Sequence, residues 1–164
     1  MNPDMTKPIE AFFACAEDLV AQMGQDNSIT RGTIHLQEQS QSSSKGFTVI
    51  IGIVGSLQGS LMLDMTREFA MHLASIMNME KCEEIDELVM SSLGELGNLV
   101  AGGASTQLRE LGHKLDITTP SLFVGNAMFA STLAVKPMHI LPLNTKAGEI
   151  LIKVALRENE MSAD

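Results

Sequence analysis

GFTVIIGIVGSLQGSLMLDM, residues 46–65, decides the fold. Two apolar runs rich in branched residues flank Gly55-Ser56-Leu57-Gln58-Gly59. The connection is far shorter than the dozen or so residues a parallel crossover needs, so the two runs read as an antiparallel hairpin of central strands. Before it, Lys7 to Met23 places Ile9, Phe12, Phe13, Ala16, Leu19, Val20 and Met23 at helical spacing, with Pro8 tolerated in the first turn. Gly24 to Asn27 stops that helix, Thr30 to Gln39 alternates like a strand with one wet face, and the serines at 42–44 read as a loop. After the hairpin, Thr66 caps a helix over about Arg67 to Met77, and Glu83 to Leu111 sustains a helical pattern on the order of 43 Å long at 1.5 Å per residue. Gly112 sits where a left-handed cap would end it. The remainder reads as strand pieces. Asp116 to Gly125 is a strand end or turn, Thr132 to Val135 and Met138 to Leu143 are interrupted by Pro137 and Pro142, and Gly148 to Arg157 is a final strand. The order predicts an α+β fold in which one antiparallel sheet is covered by long helices.

Composition narrows the function classes. The 164 residues amount to about one domain, with 45% hydrophobic and 19% charged residues, an ordinary globular balance. A single unit over residues 1–164 is expected, with its core at about 8–157 and short flexible tails. The net charge of -9 argues against nucleic acid, whose phosphates attract Lys and Arg, and favours a basic partner surface. No signal segment or membrane-length apolar run is seen, so a soluble, cytoplasmic protein is expected. Cys15 and Cys82 have no zinc-like spacing and read as reduced thiols, at least Cys15 packed inside, while His35, His72, His113 and His139 are scattered. Neither a metal nor a cofactor bound by this chain is expected.

The oddest stretch is SSLGELGNLVAGG, residues 91–103, which holds four glycines inside a helix, each costing about 1 kcal/mol relative to Ala. At 100° per residue, Val89, Leu93, Leu96, Val100, Ala104 and Leu111 form the core stripe. Opposite runs Glu84, Glu87, Ser91, Glu95, Asn98, Gly102, Ser105 and Arg109, with Leu88 and Leu99 as apolar rims. An E-x-x-N pair on such a face is ordinarily just solvated surface. Here Asn98 is a poor helix former where stability alone would favour Lys, Gln or Ala. Gly94 and Gly102 clear side chains from around the pair, whereas Gly97 and Gly103 point nearer the core. A glutamate and a carboxamide without a nucleophile, histidine or metal suit an already activated bond: in an acyl phosphate the leaving group is good, and the requirement is a water held in line with phosphorus. A faint internal echo sets Thr6, Glu10 and Phe13 of the first helix beside Ser91, Glu95 and Asn98.

Taken in order, Val54 to Leu61, Asp86 to Gly102 (with S-x-x-x-E-x-x-N followed by A-G), and Asp116 to Ser121 with Gly125 resemble the CheX branch of the CheC/CheX family of chemotaxis phosphatases. The resemblance implies a pseudo-symmetric α+β fold and an enzyme that hydrolyses the aspartyl phosphate of a CheY-like response regulator. It assigns Asn98 the positioning of the attacking water and Glu95 a salt bridge to the regulator's active-site lysine. Ser91, Leu88, Leu99, Gly102 and Arg109 are the candidate partner-binding residues, with Ser91 at most supporting. The Mg2+ ion is the regulator's. A one-motif chain of this kind is expected to be a homodimer joined through its sheet, for which Glu149 to Leu156 is an apolar edge-strand candidate. The first helix lacks the asparagine, so one active surface per chain is expected. Two other readings stay open: a non-catalytic scaffold related to flagellar motor switch proteins, which usually add a rotor-binding domain and lack the pair, and a phosphatase for a regulator outside chemotaxis. Which regulator is the substrate has no readable code in the rim residues.

Overall fold

The computed structural model describes residues 4–39, 41–126, 128–130 and 135–162. Helix α1 spans Thr6–Gly24, followed by the short strands β1 (Thr30–Arg31), β2 (His35–Gln37) and β3 (Gln41–Ser43). The hairpin is β4 (Gly46–Gly55) and β5 (Leu57–Met65), then come α2 (Arg67–Asn78) and α3 (Glu87–Glu110). The chain continues through β6 (Leu115–Ile117), β7 (Ser121–Gly125), β8 (Met128–Ala130), β9 (Met138–Thr145) and β10 (Gly148–Glu158). An eight-stranded antiparallel sheet runs β1-β9-β10-β5-β4-β6, with β2 also on β9 and β7 also on β4; β3 and β8 pair separately.

The alternation within the hairpin decides which face is covered. In register, Val49 stands opposite Leu63 and Ile51 opposite Leu61, while Ile152 of β10 stands opposite Leu63 from the other side. With Phe47, Ile53, Ile150 and Val154 they make an apolar floor, all at most 1% exposed. Phe12, Phe13 and Val20 of α1, Leu73 of α2, and Val89, Leu93, Leu96 and Val100 of α3 pack on it as the helical layer. Each such side chain, fully buried, contributes about 1.5–3 kcal/mol of transfer free energy. The opposite face carries a buried ion pair, Lys153 Nζ to Asp64 Oδ2 at 3.2 Å. Asp64 Oδ1 also accepts from Lys45 N at 2.8 Å, and Lys153 Nζ donates to the Ser43 carbonyl at 3.1 Å, which ties β3 down on that face. Removing either partner of such a pair costs about 3–5 kcal/mol, because the other charge is left buried and unmatched.

Several expectations change. The segment expected as one strand over Thr30 to Gln39 is two short pieces on β9, and part of the serine loop is strand β3. Pro142 does not interrupt β9; its carbonyl accepts from Gly32 N at 2.8 Å, outside the regular ladder. Asp116 to Gly125 is two strands rather than a strand end. The third helix begins at Glu87 rather than Glu83, with the Asp86 carboxylate capping Val89 N at 3.1 Å. Strand β10 lies between β9 and β5, so Glu149 to Leu156 is interior; among the described residues the outer strands are β1–β2 and β6–β7. The strand piece expected at Thr132 to Val135 lies, apart from Val135, outside the described residues.

The turn after α1 is fastened to the β9–β10 turn by Asp26, which accepts from Lys146 N at 2.8 Å and from Ser28 N and Oγ at 2.8 and 2.6 Å. These bonds, that from Lys146 foremost, hold its carboxyl at about 2, below the ordinary 3.8. The native state thus resists protonation more than the unfolded chain, so the stabilisation is complete above the unfolded value and is lost as pH falls through about 2. Urea unfolding of Asp26→Asn should give a lower midpoint than wild type at pH 6 and converge with it towards pH 2; parallel curves at every pH would contradict the linkage.

Candidate active site on the third helix

Helix α3 starts at the Asp86 cap and closes at Gly112, whose φ of +91° is the left-handed turn anticipated there. Its underside is cut for close approach. A Cβ on Gly97 would stand 2.9 Å from Ile51 Cδ1 and 3.0 Å from Val49 Cγ1, and one on Gly103 would stand 2.7 Å from Cys15 Sγ of α1. Burial, with Asp18 nearby, pushes that thiol's pKa up and keeps it protonated. Gly94 differs from its expected role. It is buried, with Pro120 and Leu122 3.8–3.9 Å from where its Cβ would be, so it serves packing against β7 rather than clearing the outer face. Gly102 is open as expected, with nothing within 4 Å.

The outer face keeps most of the expected row. Ser91, Glu95, Leu99 and Arg109 are exposed, while Leu88, Asn98 and Gly102 are half-buried beside them. Ser105 is a correction: it is buried, and among the described residues its Oγ has no hydrogen-bond partner. Leu111 is the second, being 58% exposed as the C-cap residue instead of ending the core stripe. Glu84 precedes the helix. The Ser91 hydroxyl donates to the Leu88 carbonyl at 3.2 Å and is therefore engaged within the helix. Among the described residues, the Glu95 carboxylate and Asn98 carboxamide have no hydrogen-bond or ion-pair partner. Two polar groups one turn apart, held on a rigid helix and left unpaired, can both be given to a foreign molecule.

The corresponding face of α1 is closed. Phe13, standing where α3 has Asn98, is 1% exposed and in the core. Glu10, standing where α3 has Glu95, accepts from Arg31 Nη1 and Nη2 at 3.0 and 2.7 Å, and the Arg31 Nε reaches Glu17. This forked pair, Glu10 first, raises the arginine's pKa and holds its charge. Sequence reading missed Arg31, although two acids seven residues apart on one helix face invite a cation. It also missed Asn78, whose Nδ2 donates to Ser92 Oγ at 2.8 Å and links α2 to α3 next to Ser91.

The site is convex. A cavity of about 250 Å3 lies between the end of α1, α2 and the β9–β10 turn, but no lining residue belongs to α3. A projecting helix face suits a macromolecular partner rather than an enclosed small molecule. Among the described residues no group of three or more His, Cys, Asp or Glu could hold a metal ion, and no helix is long and apolar enough to cross a membrane.

The profile of the family Chemotaxis phosphatase CheX matches residues 47–144. A curated protein, the CheY-P phosphatase CheX of Thermotoga maritima, is 39% identical over 77 residues, 46% of this chain and 50% of that protein, so the match spans half the length of the curated relative. The chain is also similar to a chain in the solved CheX-CheY-BeF3-Mg2+ complex from Borrelia burgdorferi, with 32% identity, TM-score 0.79, and 92% and 97% of the two chains covered. A CheC-like superfamily protein from Shewanella sp. PV-4 is 25% identical with TM-score 0.81, covering 96% and 99%.

The two kinds of glycine in α3 separate in stability. Gly97→Val should lower stability by about 1–3 kcal/mol through overpacking against β4. Gly102→Ala, into open space, should raise it by about 1 kcal/mol through helix propensity. Equal effects of the two in urea unfolding would show that close packing does not set the helix position.

Proposed function

This chain belongs to the CheX family of chemotaxis phosphatases, and from that membership we propose that it hydrolyses the aspartyl phosphate of a CheY-like response regulator. The observation that carries the reading is the unpaired Glu95 and Asn98 on the outer face of α3. The helix face is laid against the regulator's phosphorylation site. The Asn98 carboxamide accepts from and donates to one water, holding it in line with phosphorus. Water oxygen attacks, the bond from phosphorus to the aspartyl oxygen breaks, and the bonding pair leaves with the carboxylate. The products are inorganic phosphate and the free aspartate, with the water's protons passing to phosphate and solvent. Ionised Glu95 pairs with the regulator's lysine and fixes the register of docking. Leu88, Leu99, Gly102 and Arg109 form the surrounding contact surface, and Ser91, already bonded to Leu88, supports the helix turn.

The Mg2+ ion, by this reading, is bound by the regulator, as the composition of the Borrelia complex suggests. The chain works as one unit in the cytoplasm, with one active surface, since Phe13 and the Arg31 pair occupy the α1 counterpart. It assembles as a homodimer through the β1–β2 edge of the sheet, where Leu36 of β2 is 61% exposed.

Phosphate release from a panel of acetyl-phosphate-loaded regulators tests the reaction. One regulator should be dephosphorylated faster, Asn98→Ala should lose at least about 100-fold of that acceleration with affinity nearly kept, as for a group acting in the transition state, and Glu95→Lys should chiefly weaken binding. Full activity of Asn98→Ala would remove the water-positioning role. Light scattering should give twice the chain mass at working concentration, and a stable monomer would remove the dimer.

A further inference from the structure

The sheet edge beside α3 is bulged, and we propose that the bulge, Thr118 to Ser121, is a built docking rim for the phosphorylated regulator, with Thr118 as its positioning residue. The proposal rests on the phosphatase reading above and adds a second element to its docking surface. Strand β4 pairs with β6 at Ile53 and Ile117, and with β7 at Ile50 and Ser121. Three steps along β4, from 53 to 50, are thus matched by four along the partner, from 117 to 121. One extra residue on one strand is a β-bulge, a device found at sheet edges and beside active sites that redirects side chains. It shifts the inward parity from Ile117 to Leu122, which stand opposite the core residues Ile53 and Val49.

Thr118 holds the bulge in place. Its N donates to the Gly52 carbonyl at 3.0 Å, and its Oγ1 accepts from Gly52 N at 2.8 Å, where a regular ladder would use the backbone carbonyl. The same hydroxyl donates to the Thr119 carbonyl at 3.2 Å. Glycine within a strand weakens it and often marks a close approach. At Gly52 a Cβ would meet Thr118 Cγ2 at 2.9 Å, so the residue makes room for this threonine. Pro120 removes one N–H and stiffens the loop.

The bulge is set against the flank of α3 that carries Asn98. Pro120 lies 3.9 Å from where a Gly94 Cβ would be, and Asn98, four residues on, stands one turn further along the same row. The other flank is covered, by α2 at Ser92 and by α1 at Gly103. Thr118, Thr119 and Ser121 are exposed, giving an uncharged rim of hydroxyls and backbone next to the carboxamide. A partner that presents a phosphoaspartate to Asn98 therefore finds this rim on the adjoining side.

Dephosphorylation measured against regulator concentration tests the proposal. Thr118→Val keeps the shape and removes the acceptor for Gly52 N. It should raise KM about five- to tenfold, the scale of one hydrogen bond, with kcat within about twofold, and Thr118→Ser should restore KM. An unchanged KM in Thr118→Val overturns the proposal, as does a change in dimer mass with KM unaffected, which would make the rim a subunit contact. Urea unfolding of both variants separates loss of folded protein from loss of docking. If wild type accelerates no regulator, the phosphatase reading fails separately. The rim is then read from affinity for the beryllofluoride-loaded regulators, where Thr118→Val should show the same loss and equal affinity or no binding by wild type overturns it.

Discussion

At Gly97 α3 comes down on the sheet closely enough that a single added carbon would meet Ile51 and Val49 at about 3 Å. The rest of the site follows from that contact. With Gly97 pressed on β4, helical geometry turns Glu95 and Asn98 away from the core, and Val89, Leu93, Leu96 and Val100 fill the space around the contact. Gly103 lets α1 close against the other end by the same means, with a cysteine sulfur in the gap. Glycine is unfavourable in a helix by propensity. Here the loss is offset by dense packing beneath a helix whose outer surface stays uncommitted.

The two helices that share the layer show how one framework keeps an open face and a closed one. On α1 the position matching Asn98 carries Phe13, which adds its ring to the core, and the acid matching Glu95 is taken up by Arg31. On α3 the same positions hold groups with no partner among the described residues. A buried aromatic and a forked ion pair both stabilise the fold; an unpaired carboxamide on a helix surface does not.

Chemistry by so few groups is feasible when the bond is already activated, because the site then has to orient water and exclude wrong geometries rather than generate a strong nucleophile. The acidic character of the chain fits a role in docking. Glu83, Glu84, Asp86 and Glu87 are all exposed at the approach to α3 and add to the negative field around Glu95. Such a field draws in a cationic surface and repels bare nucleic acid.

What the residues alone made legible is what local periodicity encodes. The hairpin at 46–65, the capped helices, the inward stripe of α3 and the outward Glu95 and Asn98 follow from spacing, cap residues and turn length, all set within a few residues. The order of these elements pointed to an α+β fold, and family resemblance added the expectation of a response-regulator phosphatase. Tertiary structure decided what depends on distant neighbours. It put β10 between β9 and β5 rather than at an edge, buried Ser105, engaged Gly94 with Pro120, and brought Arg31 to Glu10. Asp64 and Lys153 look like the wet face of two alternating strands until β3 covers them. A helix or strand specifies its own faces, but which face is covered depends on chain segments tens of residues away, and no local pattern carries that information.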